Sequence, residues 1–476
     1  MLRGAPLVFV LITCVCAQGV DNAPPELDAP PGRLFRLDPV EIGFERVLEL
    51  EPGKMFTVQT VSMKPPVFEI LNFLSDSECD RIRHIALEEG LDNSTVAEDP
   101  QTRFTATQGL DETQQVTQDK DDQILRMFEE FDWSQDGLLD AREVRDILPP
   151  ERNAFMSLRD IHELFADLGI DRNSDGFLDL DEYKVTSEAD IRDWMQKKMN
   201  SDKTRVTRES KQVWLSQNDA QDVVLRSLRE RVIALTRLPR TLIKGSELLQ
   251  VVKYSVGGHY HAHYDSEDIN SDMPCHHSTI DYDEQNDDLF LRKHRLCRYI
   301  TILYYLNDVD DGGKTAFPLA DNETINDDEL NENSDTIYDL SHHCKDAKLI
   351  VEPVKGKAVM WYNHRLDETG WLGELDMFAL HGGCDVHSGT KWIANNWINV
   401  DNVREKQEQY QKKLESEVDL EFYDENEMRI EVENEYVKNV NDDVTKSAIL
   451  NAENADVTRS KLKTEEPRNV HANDEL

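Results

Sequence analysis

Two acidic segments with the same length and pattern constrain this chain more than any other feature. Residues 132–143 read DWSQDGLLDARE, and residues 171–182 read DRNSDGFLDLDE. In both segments oxygen-bearing side chains recur at positions 1, 3, 5, 9 and 12, and a glycine stands at position 6, where a loop that wraps around one point must turn sharply. Amphipathic segments flank both loops, so we expect two consecutive helix–loop–helix units.

This spacing is that of the EF-hand calcium loop. Calcium takes six to eight oxygen ligands, and the pattern supplies them from side chains and one backbone carbonyl. A degenerate loop that keeps the fold without binding calcium is the alternative, but neither loop has lost a ligand position. The expected calcium ligands are Asp132, Ser134, Asp136, the Leu138 carbonyl, Asp140 and Glu143 in the first loop, and Asp171, Asn173, Asp175, the Phe177 carbonyl, Asp179 and Glu182 in the second.

The charge and the ends of the chain restrict its partners and its location. A formal net charge of −42 over 476 residues argues against a nucleic-acid partner. Residues 1–19 combine an early arginine, a short apolar run and small residues, as a cleaved signal peptide does, and we expect no transmembrane helix after cleavage. The final NDEL resembles a KDEL-type retrieval signal, and sequons begin at Asn93 and Asn322, so we expect the lumen of the endoplasmic reticulum.

Five cysteines remain once the signal peptide is removed. An oxidising lumen favours disulfides, an odd number leaves one thiol free, and spacing alone does not fix the connectivity. One of the possible assignments pairs Cys275 with Cys297 and Cys344 with Cys384, which leaves Cys79 free.

Composition divides the chain into six segments. They are a signal peptide, a proline-rich extended linker, the first part of a main domain, the EF-hand pair, the remainder of the main domain and an acidic tail. Their expected bounds are, in that order, 1–19, 20–56, 57–118, 119–190, 191–402 and 403–476. A helix is predicted after an N-cap at Ser75 or Asp76, and strand-like runs separated by glycine and aspartate turns predict a β-sandwich or barrel in the last part of the main domain.

A histidine-rich stretch, YSVGGHYHAHYDSED at 254–268, indicates a metal site. Residues i and i+2 of a strand share a face, so His263 and Asp265 are expected to project together. An imidazole and a carboxylate, completed by a third ligand from a distant strand, make the 2-His-1-carboxylate set that binds ferrous iron and leaves coordination positions open. His259 and His261 share that face in a regular strand, but a bulge at the preceding glycines would change this, and we assign neither as a ligand.

A second segment, ALHGGCDVHSGTKWIANNWI, offers the third ligand and a cation. His381 stands ten residues before Lys391 in this segment. In a strand, Lys391 would lie on the same face as every second residue of a segment that is apolar enough to be buried. A buried lysine needs an anionic partner. The 5-carboxylate of 2-oxoglutarate is such a partner, and a solvated surface lysine is the alternative.

These segments resemble the 2-oxoglutarate- and iron-dependent prolyl 4-hydroxylases. The family pattern of His-x-Asp, a distal histidine and a lysine ten residues further on is met by His263, Asp265, His381 and Lys391, and RYITILYYLNDVDDGGKTAFP and PVKGKAVMWYN match further family segments. The resemblance covers about 57–402, and the inserted EF-hand pair makes the chain similar to the membrane-anchored branch found in the endoplasmic reticulum. That branch has an N-terminal anchor, whereas the leader here resembles a cleaved signal peptide, which puts membrane attachment in question.

The resemblance implies a fold, a reaction and a set of site residues. The implied fold is α+β, a double-stranded β-helix (jelly-roll) dioxygenase domain with flanking helices and an inserted all-α EF-hand pair. The implied reaction is hydroxylation of proline to 4-hydroxyproline in a protein or peptide, with Fe(II), 2-oxoglutarate, O2 and ascorbate, by a monomer or a homodimer. The implied residues are His263, Asp265 and His381 for iron, Lys391, Tyr254 and Thr301 for 2-oxoglutarate, and Tyr260 and Trp397 for the side where substrate and oxygen meet.

Two other classes of function compete with this one. A calcium-binding luminal protein on a catalytically inactive dioxygenase-like barrel would share the acidic charge and the EF-hand loops, although the intact ligand pattern argues against it. A zinc hydrolase fits poorly, because no general base is evident beside the two histidines and the aspartate. Relatives act on collagen-like chains or on the α-subunit of hypoxia-inducible factor, and the sequence does not select between these substrates.

Overall fold

The computed structural model describes residues 32–94, 118–148, 154–217, 222–269, 275, 295–326, 329–330 and 333–417. The predicted signal peptide, the first part of the predicted linker, the threonine of the Asn93 sequon and all of the acidic tail beyond residue 417 lie outside these residues.

The described residues form strands and helices in an α+β arrangement. The strands are β1 (Glu45–Glu51), β2 (Lys54–Met63), β3 (Pro66–Ile70), β4 (Asp92–Asn93), β5 (Lys211–Leu215), β6 (Leu249–Tyr254), β7 (Tyr260–His263), β8 (Arg298–Tyr305), β9 (Asp311–Gly312), β10 (Thr315–Phe317), β11 (Leu349–Val351), β12 (Ala358–Tyr362), β13 (His364–Leu366), β14 (Leu372–Leu375), β15 (His381–Gly383), β16 (Val386–Ser388) and β17 (Lys391–Asn399). The helices are α1 (Asp76–Glu89), α2 (Gln118–Phe131), α3 (Ala141–Asp146), α4 (Leu158–Leu168), α5 (Leu180–Val185), α6 (Glu188–Ser201), α7 (Val223–Thr236), α8 (Arg240–Lys244), α9 (Ser334–Tyr338), α10 (Leu340–His343) and α11 (Arg404–Glu417). Short 3-10 helices span Lys203–Arg205, Cys344–Asp346 and Met377–Ala379.

Two antiparallel sheets carry the main domain. The large sheet has the strand order β1-β2-β3-β12-β8-β17-β6-β5-β4, and the small sheet has the order β11-β10-β15-β7. One face of the large sheet packs on α1 and α7 through residues such as Ile82, Leu228 and Tyr304. The opposite face packs Trp361 against Phe317 of the small sheet. The predicted α+β fold is confirmed, and its sheets are antiparallel.

Ordered structure begins earlier in the chain than the sequence predicts. Strand β1 lies inside 20–56, the segment predicted to be a linker, and pairs antiparallel with β2. The last four residues of its sequence, LELE, alternate apolar and charged side chains with the period of a strand, and β1 lies at the edge of the sheet, where charged side chains stay hydrated. The linker prediction is therefore wrong for residues 45–56, because proline composition upstream outweighed this alternation.

Helix α1 begins where its capping signals predict. Ser75 is the N-cap: its hydroxyl accepts the N–H of Glu78, and the Glu78 carboxylate accepts the N–H of Ser75 at 2.7 Å. This reciprocal pair satisfies donors that the first turn of a helix leaves open. The Glu78 carboxylate also pairs with Arg231 of α7, and both side chains are buried, so the two helices are joined behind the large sheet.

Helices α2 to α6 form a helical unit with a hydrophobic core of its own, which includes Phe128, Leu164 and Phe165. Its two acidic loops lie side by side, because Leu139 and Leu178 exchange backbone hydrogen bonds of 2.9 Å in both directions. The glycines at position 6 of the loops have φ of 84° and 87°, in the left-handed region that glycine adopts without steric cost. The predicted sharp turns are therefore present.

Two disulfides join distant segments. They pair Cys275 with Cys297 and Cys344 with Cys384, while Cys79 is a buried free thiol, as in the assignment considered from the sequence. Within the part of the chain that the structure describes, we find no helix with the length and apolar character needed to span a bilayer.

Candidate active site

The two candidate histidines lie on neighbouring strands of the small sheet. His263 at the end of β7 pairs in register with His381 at the start of β15, and Asp265 follows β7 by two residues. One ligand atom from each of these three residues lies within 4.8 Å of the other two. Among the described residues, no other group of histidine, cysteine and acidic side chains brings three ligand atoms so close together. The sequence-predicted set is therefore assembled at one point between the two sheets.

Backbone carbonyls fix the orientation and the tautomer of both imidazoles. Nδ1–H of His263 donates to the carbonyl of His261 at 2.8 Å, and Nδ1–H of His381 donates to the carbonyl of Ala379 at 2.9 Å. Because Nδ1 carries the proton, Nε2 keeps its lone pair in the neutral ring. The two Nε2 atoms face Asp265, at 3.7 Å from Oδ1 for His263 and 3.4 Å from Oδ2 for His381.

The Asp265 carboxylate is buried but held in its charged form. Burial acts to raise its pKa, but His381, His263 and Arg298 outweigh this and hold the pKa well below the usual range of an aspartate. The Arg298 guanidinium also donates to the Asp265 carbonyl at 3.3 Å and forms two hydrogen bonds of 2.7 Å with Glu247. Two imidazoles and one anionic carboxylate match the ligand set that ferrous iron takes in oxygenases.

Thr301 and Trp397 contact Asp265 directly, which the sequence did not indicate. The Thr301 hydroxyl donates to Asp265 Oδ2 at 2.8 Å, and the Trp397 indole N–H donates to the same oxygen at 2.9 Å. The two residues pair in register on β8 and β17, so their side chains share one face of the large sheet. Trp397 also stacks on the Arg298 guanidinium, which lies 3.6 Å from the ring centroid.

Lys391 is a buried cation without an acidic partner among the described residues. It is 2% exposed, and Nζ lies 5.3 Å from the ring centroid of Tyr254 and 5.9 Å from that of Tyr305. Burial alone lowers its pKa to about 7. Lys391 is therefore not the solvated surface lysine that was the alternative prediction. A buried ammonium group is stable only when an anion pairs with it. A carboxylate of a bound ligand meets that need.

Two further polar residues lie in the Lys391 region, and neither was predicted from the sequence to be a site residue. The Tyr305 hydroxyl donates to Thr315 Oγ1 at 2.7 Å, and both side chains are buried. The threonine stands in the GGKTAFP segment, which matches a family segment but carried no predicted role for this hydroxyl. Strand parity of Tyr305 with Thr301 along β8 was the signal that could have identified the tyrosine.

The two remaining candidates also border the site. Tyr260 stacks on His263 with ring centroids 3.6 Å apart, and the Arg208 guanidinium lies 4.7 Å from the Tyr260 ring centroid. Tyr254 pairs in register with Lys391, and burial raises its pKa above the usual range of a tyrosine.

His259 and His261 face away from the three-residue cluster. Their Nε2 atoms lie 2.7 Å from the carbonyl of Val206 and 2.8 Å from the carbonyl of Thr204, in the segment that follows the helical unit. The expectation that neither is a metal ligand agrees with this geometry.

The fold and the ligand set define an iron-dependent oxygenase of the type that uses 2-oxoglutarate. The family model of the 2OG-Fe(II) oxygenase superfamily matches residues 249–399, which contain all three ligands and Lys391. Fe(II) and 2-oxoglutarate are therefore the cofactor and cosubstrate of this class.

Sequence similarity to curated proteins identifies the family within this superfamily. The chain is 39% identical over 386 residues to the transmembrane prolyl 4-hydroxylase of Mus musculus and 38% identical over 386 residues to that of Homo sapiens, matches that cover 80% of this chain and 73% of each relative. It is 32% identical over 181 residues to prolyl 4-hydroxylase 2 of Arabidopsis thaliana, covering 38% of this chain and 50% of that protein. The chain therefore belongs to the transmembrane prolyl 4-hydroxylase family.

Proposed function

We propose that this protein hydroxylates proline residues of a peptide or protein to 4-hydroxyproline, in a reaction that consumes 2-oxoglutarate and O2 and depends on Fe(II). The observation that supports this most is the cluster of His263, Asp265 and His381 together with Lys391, a buried cation that has no acidic partner among the described residues. Bound iron and 2-oxoglutarate supply the oxygen-activating chemistry, and the protein binds and orients them. The two Nε2 atoms and one carboxylate oxygen hold the metal, and three protein ligands leave positions open for the reactants.

The Lys391 region is the proposed binding site for 2-oxoglutarate. The ammonium group of Lys391 pairs with the 5-carboxylate, and the hydroxyl of Thr315, which accepts the O–H of Tyr305 and keeps its own hydrogen, offers a hydrogen bond to the same group. Tyr254 closes the pocket beside Lys391. Thr301, whose hydroxyl is already donated to Asp265, is less suited to the role in cosubstrate binding that the family resemblance implied.

The affinity for 2-oxoglutarate is expected to fall as the pH rises above about 7. Burial lowers the pKa of Lys391 to about 7, so the free protein carries a mostly neutral amine above that pH, whereas the complex needs the ammonium form. Binding then requires uptake of a proton, which weakens affinity by up to about tenfold for each pH unit. Calorimetric titration of the metal-loaded protein in buffers of different ionisation enthalpy measures this proton uptake.

Lys391→Arg is the control for this pH dependence. An arginine stays charged throughout the range, so its complex should form without proton uptake even if its affinity differs. A wild-type affinity that is constant between pH 6.5 and 8.5 would contradict the assigned role of the lysine.

Tyr260 and Trp397 are the proposed border of the substrate site. Tyr260 covers one side of His263, and Trp397 lies against Asp265 and Arg298. A proline ring that approaches the metal between these aromatic faces would exclude water from the reacting C–H bond.

We also propose that the two acidic loops bind calcium. Asp132 and Asp171 each accept the N–H of the glycine at position 6, at 2.8 and 2.9 Å. The carboxylates of Glu143 and Glu182 at position 12 accept backbone N–H groups near the beginning of their own loops. These hydrogen bonds hold each loop in a conformation that surrounds one point, as calcium coordination requires, and they support the proposal.

Glu182→Gln is expected to weaken calcium binding at the second loop by about tenfold or more, because the position-12 glutamate supplies two of the oxygen ligands and one negative charge. Calorimetry with Ca²⁺ measures the affinity of each loop. The matched control is Asp181→Asn, which removes the same charge from an exposed side chain at the neighbouring position, where the pattern has no ligand. Equal affinities for the wild type and Glu182→Gln would exclude this loop as a calcium site.

The proposed location is the lumen of the endoplasmic reticulum, and ascorbate is the proposed reductant of the iron. Two disulfides and the sequon at Asn322 support an oxidising secretory compartment. Calcium is an available ion there.

The decisive experiment for the function measures succinate released from 2-oxoglutarate and a 16 Da increase in the mass of a proline-containing peptide, with Fe(II) and ascorbate present. Coupled formation of both products is expected. Calcium uptake by a protein that binds iron but releases no succinate with any peptide would instead support a calcium-binding protein on an inactive barrel.

A further inference from the structure

A directional chain of buried hydrogen bonds leads from the large sheet to the candidate metal ligand Asp265. The indole N–H of Trp361 donates to Asn363 Oδ1 at 3.0 Å, and Asn363 Nδ2 donates to Thr301 Oγ1 at 2.9 Å. Thr301 then donates to Asp265 Oδ2 at 2.8 Å. Trp361, Asn363 and Thr301 each expose less than 1% of their surface, so no bulk water competes for these contacts.

The chemistry of the side chains sets the direction of this chain. An indole nitrogen can only donate, so the carbonyl oxygen of Asn363 must face Trp361 and the amide nitrogen must face Thr301. The Thr301 hydroxyl receives that N–H and has a single hydrogen of its own, which is left for Asp265. The Oδ2 atom of Asp265 is thereby required to accept.

Trp397 completes the arrangement from the neighbouring strand. Its indole N–H reaches the same atom, Asp265 Oδ2, at 2.9 Å, so this oxygen accepts two hydrogen bonds. A carboxylate oxygen has two lone pairs, and both are then engaged. His381 Nε2 lies 3.4 Å from Oδ2, but this oxygen has no lone pair free. Oδ1, which lies 3.7 Å from His263 Nε2 and 3.7 Å from Arg298 Nη1, is therefore the oxygen left for a metal.

We propose that Asn363, Thr301 and Trp397 are positioning residues that restrict Asp265 to binding the metal through one oxygen. A carboxylate that is free to rotate can bind a metal through both oxygens and thereby occupy a coordination position that the cosubstrate needs. The hydrogen bonds hold Oδ2 away from this second role. The inference rests on the proposed metal site, and it differs from the roles in cosubstrate and substrate binding that the family resemblance implied for Thr301 and Trp397.

The test measures Co²⁺ binding, because the visible absorption of this ion reports its ligand number without turnover. Thr301→Val keeps the shape of the side chain and removes the hydroxyl, and it is expected to weaken Co²⁺ binding by about ten- to a hundredfold, as loss of a partner that orients a ligand does. The absorption bands should change, and the Co²⁺-loaded variant should bind 2-oxoglutarate more weakly. Thr301→Ser, which restores the hydroxyl, should recover wild-type Co²⁺ affinity within about threefold.

Two further variants separate positioning from general loss of stability. Thr236→Val removes a buried threonine hydroxyl that bonds within α7, outside the site, and should leave Co²⁺ binding unchanged. Trp397→Phe removes the second donor to Oδ2 and should change the spectrum in the same direction as Thr301→Val. Wild-type affinity and spectrum in both Thr301→Val and Trp397→Phe would overturn the inference, whereas a wild-type protein that fails to bind Co²⁺ would overturn the proposed metal site as well.

Discussion

Replacing His263 with alanine is expected to reduce succinate formation from 2-oxoglutarate by at least about a hundredfold, which corresponds to about 3 kcal/mol of activation free energy. The imidazole is one of the three candidate ligands assembled at the site, and its Nδ1–H is committed to the His261 carbonyl, so Nε2 is the nitrogen available to a metal. Alanine removes that ligand and the ring stacked on Tyr260. Initial rates with saturating Fe(II), ascorbate and peptide measure the effect.

His84→Ala is the matched control for this experiment. His84 lies on α1, its side chain is 60% exposed, and it contacts Glu88 on the same helix. Its loss should leave the rate unchanged, because no site residue touches it. A His263→Ala protein that keeps the wild-type rate, with the wild-type thermal unfolding midpoint, would exclude the proposed iron site.

Replacing Lys391 with methionine is expected to weaken 2-oxoglutarate binding by about a hundredfold or more, because an anionic carboxylate would then enter a buried pocket without its cation. Binding to the metal-loaded protein, measured by calorimetry near pH 6.5, shows this loss most fully, since the wild-type lysine is mostly charged there. Co²⁺ affinity should stay within about threefold of the wild-type value, because Lys391 is no metal ligand.

The same substitution is not expected to destabilise the protein without cosubstrate. Burial lowers the pKa of Lys391 from its ordinary 10.5 to about 7, so the unfolded chain binds more protons than the folded chain between these values. Protonating this buried lysine costs folding free energy, and the cost is fully present below about pH 7. The free energy of unfolding therefore rises as the pH increases from about 7 to 10.5. A methionine of similar shape removes this cost, so weaker binding by Lys391→Met cannot be attributed to unfolding.

Lys253→Met provides the control for the lysine substitution. Lys253 lies on β6 and pairs in register with Trp392, so it projects from the opposite face of the large sheet to Lys391. Its ammonium group lies 5.4 Å from the centroid of the Trp392 ring. Unchanged 2-oxoglutarate affinity is expected. If both variants lost affinity equally, the effect would reflect net charge rather than the assigned contact.

Local spacing explains why much of the site could be predicted. His263 and Asp265 are two residues apart, and strand geometry alone places their side chains on one side. The capping box at Ser75 and the glycines of the acidic loops likewise depend on residues within a few positions of each other. Features that depend only on residues this close together in the sequence can be predicted from the sequence.

The contacts of Thr301 and Trp397 could not be predicted in this way. Both lie in strands that are buried on both faces, so the pattern of polar and apolar residues gives no indication of which residue meets which across the sheet. The register of β8 against β17 decides that both reach Asp265. Nothing in either strand by itself specifies that register.

The sequence by itself determined the two acidic loops and the His-x-Asp pair, because each depends on backbone geometry over a few residues. Only the tertiary structure decided that β15 lies beside β7, that Lys391 is buried without an acid among the described residues, and that the Asn363 amide reaches Thr301. Side chains of distant segments meet through strand pairing and the packing of two sheets, and the free energy of that packing is shared by the whole domain rather than carried by any short stretch.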